Sequence, residues 1–197
     1  MKIILASQSP RRRQILTLMG LPFQVKPSNF EETLDKSSFA SLTDYVMATA
    51  HGKAADVASQ LDSASDETEL IIGSDTVVCI EDKILEKPKS EGEAYRMLKS
   101  LSGRQHVVAT GVSLIVRGGK VYNFCEQSKV WFTELNDDMI AAYIRSAEPM
   151  DKAGSYGIQG YGGVFVRKIE GCFFAVMGLP MHALARYISD LISRAAL

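Results

Sequence analysis

The chain has 197 residues, of which 46% are hydrophobic and 23% charged. These values are typical of a globular protein and exclude a disordered, collagen-like or coiled-coil architecture. The 22 basic and 23 acidic residues leave a net charge of −1, which disfavours a nucleic-acid-binding protein. Residues 1–30 nevertheless hold five basic and no acidic side chains, and this asymmetry predicts a local anion site near the start of the chain.

The cysteines and the hydropathy pattern bear on the compartment. The cysteines are odd in number and far apart, which is typical of free, partly buried thiols in a reducing compartment. The longest uncharged stretch falls short of the ~20 residues that a membrane span needs, and no signal-peptide pattern precedes the first arginines. We therefore expect a cytoplasmic protein without a membrane partner, with its free thiols at Cys79, Cys125 and Cys172.

Strands and helices mix along the chain, and capping signals mark several helix starts. Ser9 and Pro10 suit the start of a helix that Gly20 ends. The other predicted helices open near Ser41, Ser90, Asn136 and Pro180. The predicted strands are Lys2–Ser7, Phe23–Val25, Leu70–Ile80, Lys83–Leu85, His106–Val116, Val121–Phe132, Val164–Ile169 and Cys172–Met177, the last two forming a hairpin about Glu170 and Gly171. Loops are expected at 30–41, 62–69, 117–120 and 149–163. This order predicts an α/β fold with a mixed β-sheet and flanking helices.

The first candidate site is the segment Ser7–Arg13, where a strand leads into a serine-rich turn at a helix start. Free backbone N–H groups at such a helix end attract anions. Arginines in the first turn oppose the helix dipole, but a bound phosphate between them and the helix end makes them favourable. The segment therefore predicts a polyphosphate clamp, the alternative being three solvated arginines.

The second candidate is Asp75, which lies inside the β-branched run Leu70–Ile80. An aspartate among apolar side chains needs a metal, a cation or several hydrogen bonds to stay ionised. A carboxylate so placed is a candidate metal ligand or general base. The alternative is a structural aspartate that is hydrogen-bonded to nearby N–H groups or to Thr76.

Other segments carry weaker signals. The adjacent acid and base of Glu86-Lys87-Pro88 could reach a metal and a phosphate, and the paired carboxylates of Glu31-Glu32 suit a hard cation. Lys53 lies on an alanine-rich helix. Each of these is also compatible with an ordinary solvated surface. The loop 149–163 holds five glycines, which permit close backbone approach to a ligand, and the amide of Gln159 could read a base edge.

Taken together, these segments resemble the Maf family of nucleoside triphosphate pyrophosphatases. Each motif is weak alone, but the set appears in the family's order and spans nearly the whole chain. The matching pieces are Leu5–Arg12, Glu32, Lys53, Gly73–Val77, Leu85–Pro88, Leu101–Gly103, Asp151–Gly154, Tyr156–Gly160 and Gly178–Pro180.

The resemblance implies an elongated two-lobed fold around a central cleft, similar to the ITP pyrophosphatases, in one domain over 1–197. It implies cleavage of a nucleoside triphosphate to the monophosphate and pyrophosphate, with Mg²⁺ or Mn²⁺ as cofactor. The family's proton acceptor falls on Asp75. The catalytic residues that the resemblance implies are Asp75, Lys53, Glu32 and Lys87, and the substrate-binding residues are Ser7, Arg11, Arg12, Glu86, Asp151, Lys152 and Gln159.

Base choice and metal binding follow from the same resemblance. The subgroup that acts on dTTP and UTP is similar to this chain at Arg11, Thr76 and Gln159. Metal ligands are expected at Glu32 and Asp75, with Glu86 left open as a third. The implied partner is a small nucleotide rather than a nucleic acid, in a nucleotide-pool housecleaning role, and a homodimer is left open.

Two other functions compete with this interpretation. A nucleotide-sensing regulator of cell division or septum formation could share the pocket, but it would not need a general base such as Asp75. The same chemistry on another base, such as a methylated guanine nucleotide, is disfavoured by the subgroup residues.

Overall fold

The computed structural model describes residues 2–61, 69–116 and 119–195, with side chains as far as Ser193. The loops expected at 62–69 and 117–120 therefore lie largely outside the described residues. The helices are α1 (Pro10–Leu18), α2 (Leu42–Ser59), α3 (Glu91–Leu101), α4 (Asp137–Arg145), α5 (Phe173–Met177) and α6 (Met181–Ala195). The strands are β1 (Lys2–Leu5), β2 (Phe23–Val25), β3 (Glu69–Ile80), β4 (Lys83–Leu85), β5 (Gln105–Val116), β6 (Val121–Phe132) and β7 (Val166–Glu170).

Within the described part of the chain, seven strands form one sheet in the order β2-β1-β3-β5-β6-β7, and β4 pairs with β3. β1 runs parallel to both β2 and β3. β4 is antiparallel to β3, and β7 is antiparallel to β6. The expected α/β class with a mixed sheet and flanking helices is therefore confirmed.

Three of the predicted helix starts are capped by the side chains that the sequence indicates. The hydroxyls of Ser41 and Ser90 accept from the backbone N–H groups three residues on, at 3.1 and 3.2 Å. The Asn136 side chain accepts from Met139 N at 2.8 Å. These bonds satisfy N–H groups that the helices themselves leave without partners. Ser9 occupies the N-cap position of α1, but its side chain makes no cap hydrogen bond.

The hairpin predicted over Val164–Ile169 and Cys172–Met177 is wrong. Its first half is β7, which pairs with β6, but Cys172 is followed by the short helix α5. Gly171 adopts a φ of +126°, and the hydroxyl of Ser128 accepts from Cys172 N at 2.9 Å. Because a side chain of β6 takes up the backbone N–H just after the turn, the chain leaves the sheet there.

The chain divides into two compact units. Unit 1 comprises the residues up to Asp75, Thr110–Glu126 and the residues from Gly178 onward, and unit 2 comprises Thr76–Ala109 and Gln127–Met177. Strands β3, β5 and β6 contribute residues to both units. In unit 1 one cluster of buried aliphatic side chains lies between α2 and strands β1 and β3. In unit 2 a buried cluster includes the aromatic side chains Phe132, Tyr143, Tyr156 and Phe165.

Of the described helices, none combines the length and the apolar character that a membrane crossing requires.

Candidate active site

Lys53 joins two carboxylates in unit 1. Its Nζ donates to Asp75 Oδ1 at 2.8 Å and lies 2.9 Å from Glu32 Oε1. The side chains of Lys53 and Asp75 are 12% and 10% exposed, whereas that of Glu32 is 50% exposed. The lysine therefore supplies the cationic partner that a buried aspartate requires, and Glu32 adds a solvent-facing carboxylate.

The close approach of α2 to β3 brings Lys53 to Asp75. A Cβ at Gly73 would lie within 3 Å of backbone and side-chain atoms of Ala54, so only glycine allows the helix to pack here. Gly73 and Asp75 are two residues apart on a strand and thus face the same side of the sheet. Asp75 therefore faces the helix that carries Lys53.

The loop that carries Glu32 is held by a carboxylate that the sequence did not single out. Asp56 Oδ2 accepts from Asn29 N at 2.8 Å and from Ser28 Oγ at 2.9 Å. The bond from Asn29 N is the largest of the effects that lower the pKa of Asp56. Next to this anchor the ring of Phe30 packs on Gly52, where a Cβ would come within 3 Å of it. Residues 28–30, which precede Glu32 in this loop, are thus held against α2 about one helical turn from Lys53.

Arg12 on α1 is anchored at two points. Its Nε donates to the carbonyl oxygen of Gly178 at 2.9 Å, and its Nη1 donates to Ser7 Oγ at 3.1 Å. The hydroxyl of buried Ser74 donates to the same carbonyl at 3.0 Å. Gly178 has a φ of +124°, a conformation that favours glycine. The guanidinium of Arg12 therefore has a fixed orientation in unit 1.

The electrostatic surroundings of Arg12 link it to the lysine cluster. Burial lowers the pKa of Arg12, the negative charges of Asp75 and Glu32 oppose that shift, and Arg11 adds to it. An arginine stays protonated at any physiological pH. The Arg12 guanidinium thus interacts electrostatically with the carboxylates of Asp75 and Glu32 in the same unit. The third arginine of the segment, Arg13, is exposed.

Glu86 and Lys87 lie in unit 2, directly after β4, and both are exposed. The backbone here is held by Pro88, which is buried, and by Gly154 N, which donates to the carbonyl of Glu86 at 3.2 Å. Gly154 has a φ of +68°. The segment 86–88 is thus tied to the glycine-rich loop of the same unit.

The glycine-rich loop contains three short 3-10 turns and is organised by Glu148, another residue that the sequence did not single out. Glu148 Oε2 accepts from Tyr161 N at 2.9 Å, and its Oε1 accepts from Gly162 N at 3.2 Å and from Tyr143 Oη at 2.8 Å. Burial raises the pKa of Glu148, but these three bonds and the charge of Lys152 outweigh it and lower the pKa overall. The Glu148 carboxylate, at the start of the loop, therefore holds the far end of the loop at Tyr161 and Gly162.

The remaining predicted residues lie along this loop and beside Asp75. Lys152 Nζ donates to Asp151 Oδ1 at 2.6 Å and to the carbonyl of Glu148 at 2.7 Å. Gln159 is exposed on the loop, and Thr76 on β3 is half-buried. Each unit thus presents its own set of the predicted polar residues. The direct contacts within these sets include Lys53 with Asp75 and Glu32, Arg12 with Ser7, and Lys152 with Asp151.

The donor atoms of Glu32 and Asp75 suit the expected Mg²⁺ or Mn²⁺. Both carboxylates converge on Lys53 Nζ through one oxygen, and each has a second oxygen to offer. Mg²⁺ is commonly bound by one or two carboxylates together with substrate phosphates. Within the described residues, no group of three or more His, Cys, Asp or Glu side chains could hold a metal by itself. Metal binding here stays a prediction.

The comparisons with known proteins agree with one another. A family model described as Maf-like protein matches residues 2–191. A dTTP/UTP pyrophosphatase from Bacillus cereus is 46% identical over 189 residues, which cover 96% of this chain and 89% of that protein. A probable bifunctional dTTP/UTP pyrophosphatase/methyltransferase protein from Homo sapiens is 44% identical over 198 residues, covering 96% of this chain and 32% of that protein.

Solved structures give more distant matches. A nucleoside-triphosphatase / dITP/XTP pyrophosphatase from Mycobacterium abscessus is 13% identical, with a TM-score of 0.43 and coverage of 100% of this chain and 98% of that chain. A HAM1 protein from Coxiella burnetii is 12% identical, with a TM-score of 0.47 and coverage of 96% and 99%. These structural similarities are too distant to support a conclusion. The family model, by contrast, matches residues 2–191, and the chain therefore belongs to the Maf family.

Proposed function

We propose that this protein hydrolyses dTTP and UTP to the nucleoside monophosphate and pyrophosphate. The observation that carries the proposal is the buried carboxylate of Asp75, paired with Lys53 Nζ at 2.8 Å and joined through it to Glu32. Relatives that are 44% and 46% identical over 96% of this chain are named for this activity.

Asp75 is the proton acceptor in the proposed reaction. Water attacks the α-phosphorus, Asp75 takes a proton from that water, and the bond between the α-phosphorus and the bridging oxygen breaks to release pyrophosphate. Lys53 compensates the charge of Asp75 before substrate binds, and it contacts the phosphates once substrate is bound. Glu32 and Asp75 would hold a divalent cation, which would supply Lewis-acid chemistry by lowering the pKa of the attacking water and offsetting phosphate charge.

The cationic side chains hold the polyphosphate. Arg12, oriented by Ser7 Oγ and the Gly178 carbonyl, offers a fixed guanidinium fork to phosphate oxygens. Arg11, Lys53 and Lys87 add positive charge that stabilises the developing pyrophosphate. Asp151, Lys152 and Glu86 complete the proposed substrate contacts.

The base is read by Gln159, with Arg11 and Thr76 as the other specificity residues. Uracil and thymine present an N–H donor between two carbonyl acceptors, and one amide can satisfy two adjacent groups of that pattern. Cytosine and the purines present different patterns and leave buried polar groups unpaired. Removal of unwanted pyrimidine nucleotides from the cytoplasmic pool is the role that this choice suggests.

The proposal is tested by measuring pyrophosphate release from a panel of nucleoside triphosphates with Mg²⁺ or Mn²⁺. Reaction in ¹⁸O-labelled water should place the label in the monophosphate. Label in orthophosphate, with a nucleoside diphosphate as the second product, would refute cleavage between the α and β phosphates.

The same panel tests base choice. We expect kcat/KM for dTTP and UTP to agree within about two orders of magnitude, because a methyl group is worth only ~1–3 kcal/mol. Both values should greatly exceed those for CTP, ATP and GTP. Gln159→Ala should narrow the gap, whereas Gln105→Ala, at another exposed position of unit 2, should leave it unchanged. Equal rates on purine nucleotides would contradict the assignment.

A further inference from the structure

One edge of strand β6 has no neighbouring strand along its first half in the described part of the chain. β6 lies between β5 and β7, but the pairing with β7 runs from Lys129 to Phe132. The first half of β6 begins at Val121 and belongs to unit 1 as far as Glu126. Val121 is 46% exposed, and Asn123 is exposed as well. This half of β6 therefore presents a strand edge to solvent.

The backbone of this edge points hydrogen-bonding groups outward at alternate residues. At one end of the β5–β6 ladder Val116 N donates to the carbonyl of Lys120 at 3.1 Å, and at the other end Phe132 N donates to the carbonyl of Arg104 at 3.0 Å. Both bonds fit one antiparallel register, in which the even-numbered residues of β6 bond to β5. The N–H and C=O groups of the odd-numbered residues between 121 and 125 therefore point away from β5.

This edge lacks the features that usually protect an open strand. Proteins discourage edge-to-edge pairing with lysine, with proline or with very short edge strands. β2, at one margin of the described sheet, has three residues, and β7, at the other margin, carries Arg167 and Lys168. The segment from Val121 to Glu126 contains no Lys, Arg or Pro. Such an edge is available for pairing with another strand.

The side chains on one face of this edge are aromatic. Tyr122 and Phe124 are two residues apart and therefore lie on the same face of the sheet. Tyr187 of α6 stacks on Phe124, with 4.3 Å between the ring centroids and 8° between the ring planes. Tyr122 and Phe124 are only half-buried, so each ring can contact a further side chain.

The sequence of this edge is complementary to itself. Lys120 and Glu126 lie on the aromatic face, one at each end, and within the described residues neither side chain forms an ion pair or a hydrogen bond. When two copies of the strand run antiparallel about a two-fold axis at Asn123, Lys120 of each copy lies opposite Glu126 of the other. Tyr122 then lies opposite Phe124. Opposite charges and aromatic pairs are among the cross-strand pairs that stabilise antiparallel sheets.

We propose that a second copy of this chain pairs with the β6 edge and extends the sheet across a two-fold axis at Asn123. Such an axis makes the interface isologous, so each charge pair and each aromatic pair occurs twice. The nearest registers with matching backbone groups, centred on Tyr122 or on Phe124, lose both charge pairs. The paired segment 120–126 ends before Lys129, so β7 keeps its position on β6.

Sedimentation of the full chain over a range of protein concentrations measures this association. We expect the wild type to change from the mass of one chain to twice that mass as the concentration rises. Asn123→Pro removes an N–H that points away from β5, a position where an edge strand tolerates proline. Because two bonds across the axis are lost, the dimer should dissociate roughly tenfold more readily. Circular dichroism checks that this variant keeps its fold.

Two charge reversals test the register without altering the backbone. Lys120→Glu and Glu126→Lys each put like charges opposite one another at both ends of the paired segment, so each variant alone should dimerise roughly tenfold more weakly. An equimolar mixture of the two variants restores opposite charges at both ends and should associate about as well as the wild type. The controls Arg145→Glu and Glu134→Lys make the same charge changes at exposed positions of unit 2 and should dimerise like the wild type.

Three results would overturn the proposal. The first is a wild type that keeps the mass of one chain at every concentration. The second is a dimer that Asn123→Pro and both charge reversals leave unchanged, because that dimer uses another surface. The third is a mixture of Lys120→Glu and Glu126→Lys that associates no better than either variant alone. These measurements use no nucleotide, so their outcome is independent of the proposed function.

Discussion

The two units hold their polar side chains in different ways. In unit 1, charged groups on helices and strands contact each other directly, as Lys53 Nζ does with Asp75 Oδ1 at 2.8 Å. In unit 2, the glycine-rich loop is held through its backbone, because Glu148 accepts from the N–H groups of Tyr161 and Gly162. Side chains on regular elements suit proton transfer, which needs accurate placement. A loop held by its backbone leaves side chains such as Gln159 facing solvent, where they can recognise a ligand.

The largest effect expected from this difference is the loss of chemistry in unit 1. Asp75→Asn should lower kcat for dTTP by about 10²- to 10⁴-fold, because the general base is removed. The fold should survive, since Lys53 keeps its contact with Glu32 at 2.9 Å. Asp190→Asn, at an exposed position of the same unit, is the control. Near-wild-type turnover by Asp75→Asn would make this carboxylate structural.

The next effect is on the stability of unit 2 and comes from a buried histidine. His106 is 2% exposed, and its Nε2 lies 2.8 Å from Tyr156 Oη. Its Nδ1 has no hydrogen-bond partner in the described chain. Burial lowers the pKa of His106 from 6.5 to about 4, so the folded state holds it neutral while the unfolded state binds a proton below pH 6.5.

The contribution of neutral His106 to the free energy of unfolding should therefore be fully present above pH 6.5 and should fall as the pH drops toward 4. At pH 5 the free energy of unfolding is lower by about 2 kcal/mol, a factor of roughly 30 in the unfolding equilibrium. Urea unfolding at pH 7 and pH 5 measures it. His106→Gln should flatten this pH dependence, and the exposed His182 gives the control His182→Gln. An unchanged dependence in His106→Gln would assign the effect to other groups.

A smaller effect is expected on recognition when the loop anchor is weakened. Glu148→Gln replaces one acceptor oxygen by an NH₂ group that faces N–H or O–H donors, so one or two bonds are lost. We expect a stability loss of about 1–3 kcal/mol and a KM increase of roughly tenfold, with kcat nearly unchanged. Glu134→Gln, exposed in the same unit, is the comparison. A fall in kcat without a change in KM would place the loop in the chemical step.

The smallest effect concerns the loop that carries Glu32. In Gly52→Ala the added methyl group would lie within 3 Å of the Phe30 ring and displace it. An ion pair as exposed as Glu32–Lys53 is worth roughly 0.2–1 kcal/mol, so kcat/KM should fall by at most about fivefold. Gly92→Ala, whose Cβ would have its nearest neighbour at 3.7 Å, should raise the thermal midpoint instead. A Gly52→Ala enzyme with unchanged kcat/KM would show that the loop position is unimportant.

Sequence patterns predicted best what depends on neighbouring residues. The caps at Ser41, Ser90 and Asn136, and the β-branched strand β3, follow from short segments and were found where expected. The need of Asp75 for a partner was also evident from its apolar neighbours. Which partner it takes was not evident, because the contact with Lys53 joins residues 22 positions apart.

What the sequence could not reveal depends on contacts between distant residues. The hairpin after Val164 was predicted because Cys172–Met177 is apolar, whereas the hydroxyl of Ser128, 44 positions away, takes up Cys172 N. Glu148 resembles any solvated acid beside a proline. The glycines of that loop gave a sequence signal, and Gly154 does adopt a positive φ, but they indicated a turn without identifying its anchor.

The Gly178 carbonyl that fixes Arg12 also sets an order of events during synthesis. The acceptor of the Arg12 Nε hydrogen bond lies 166 positions further along the chain. At 5–20 residues per second, the ribosome needs roughly 10–30 s to reach it. An incomplete chain that ends before Gly178 therefore carries Arg12 without this acceptor, and the guanidinium gains its orientation only after the rest of unit 2 has been made.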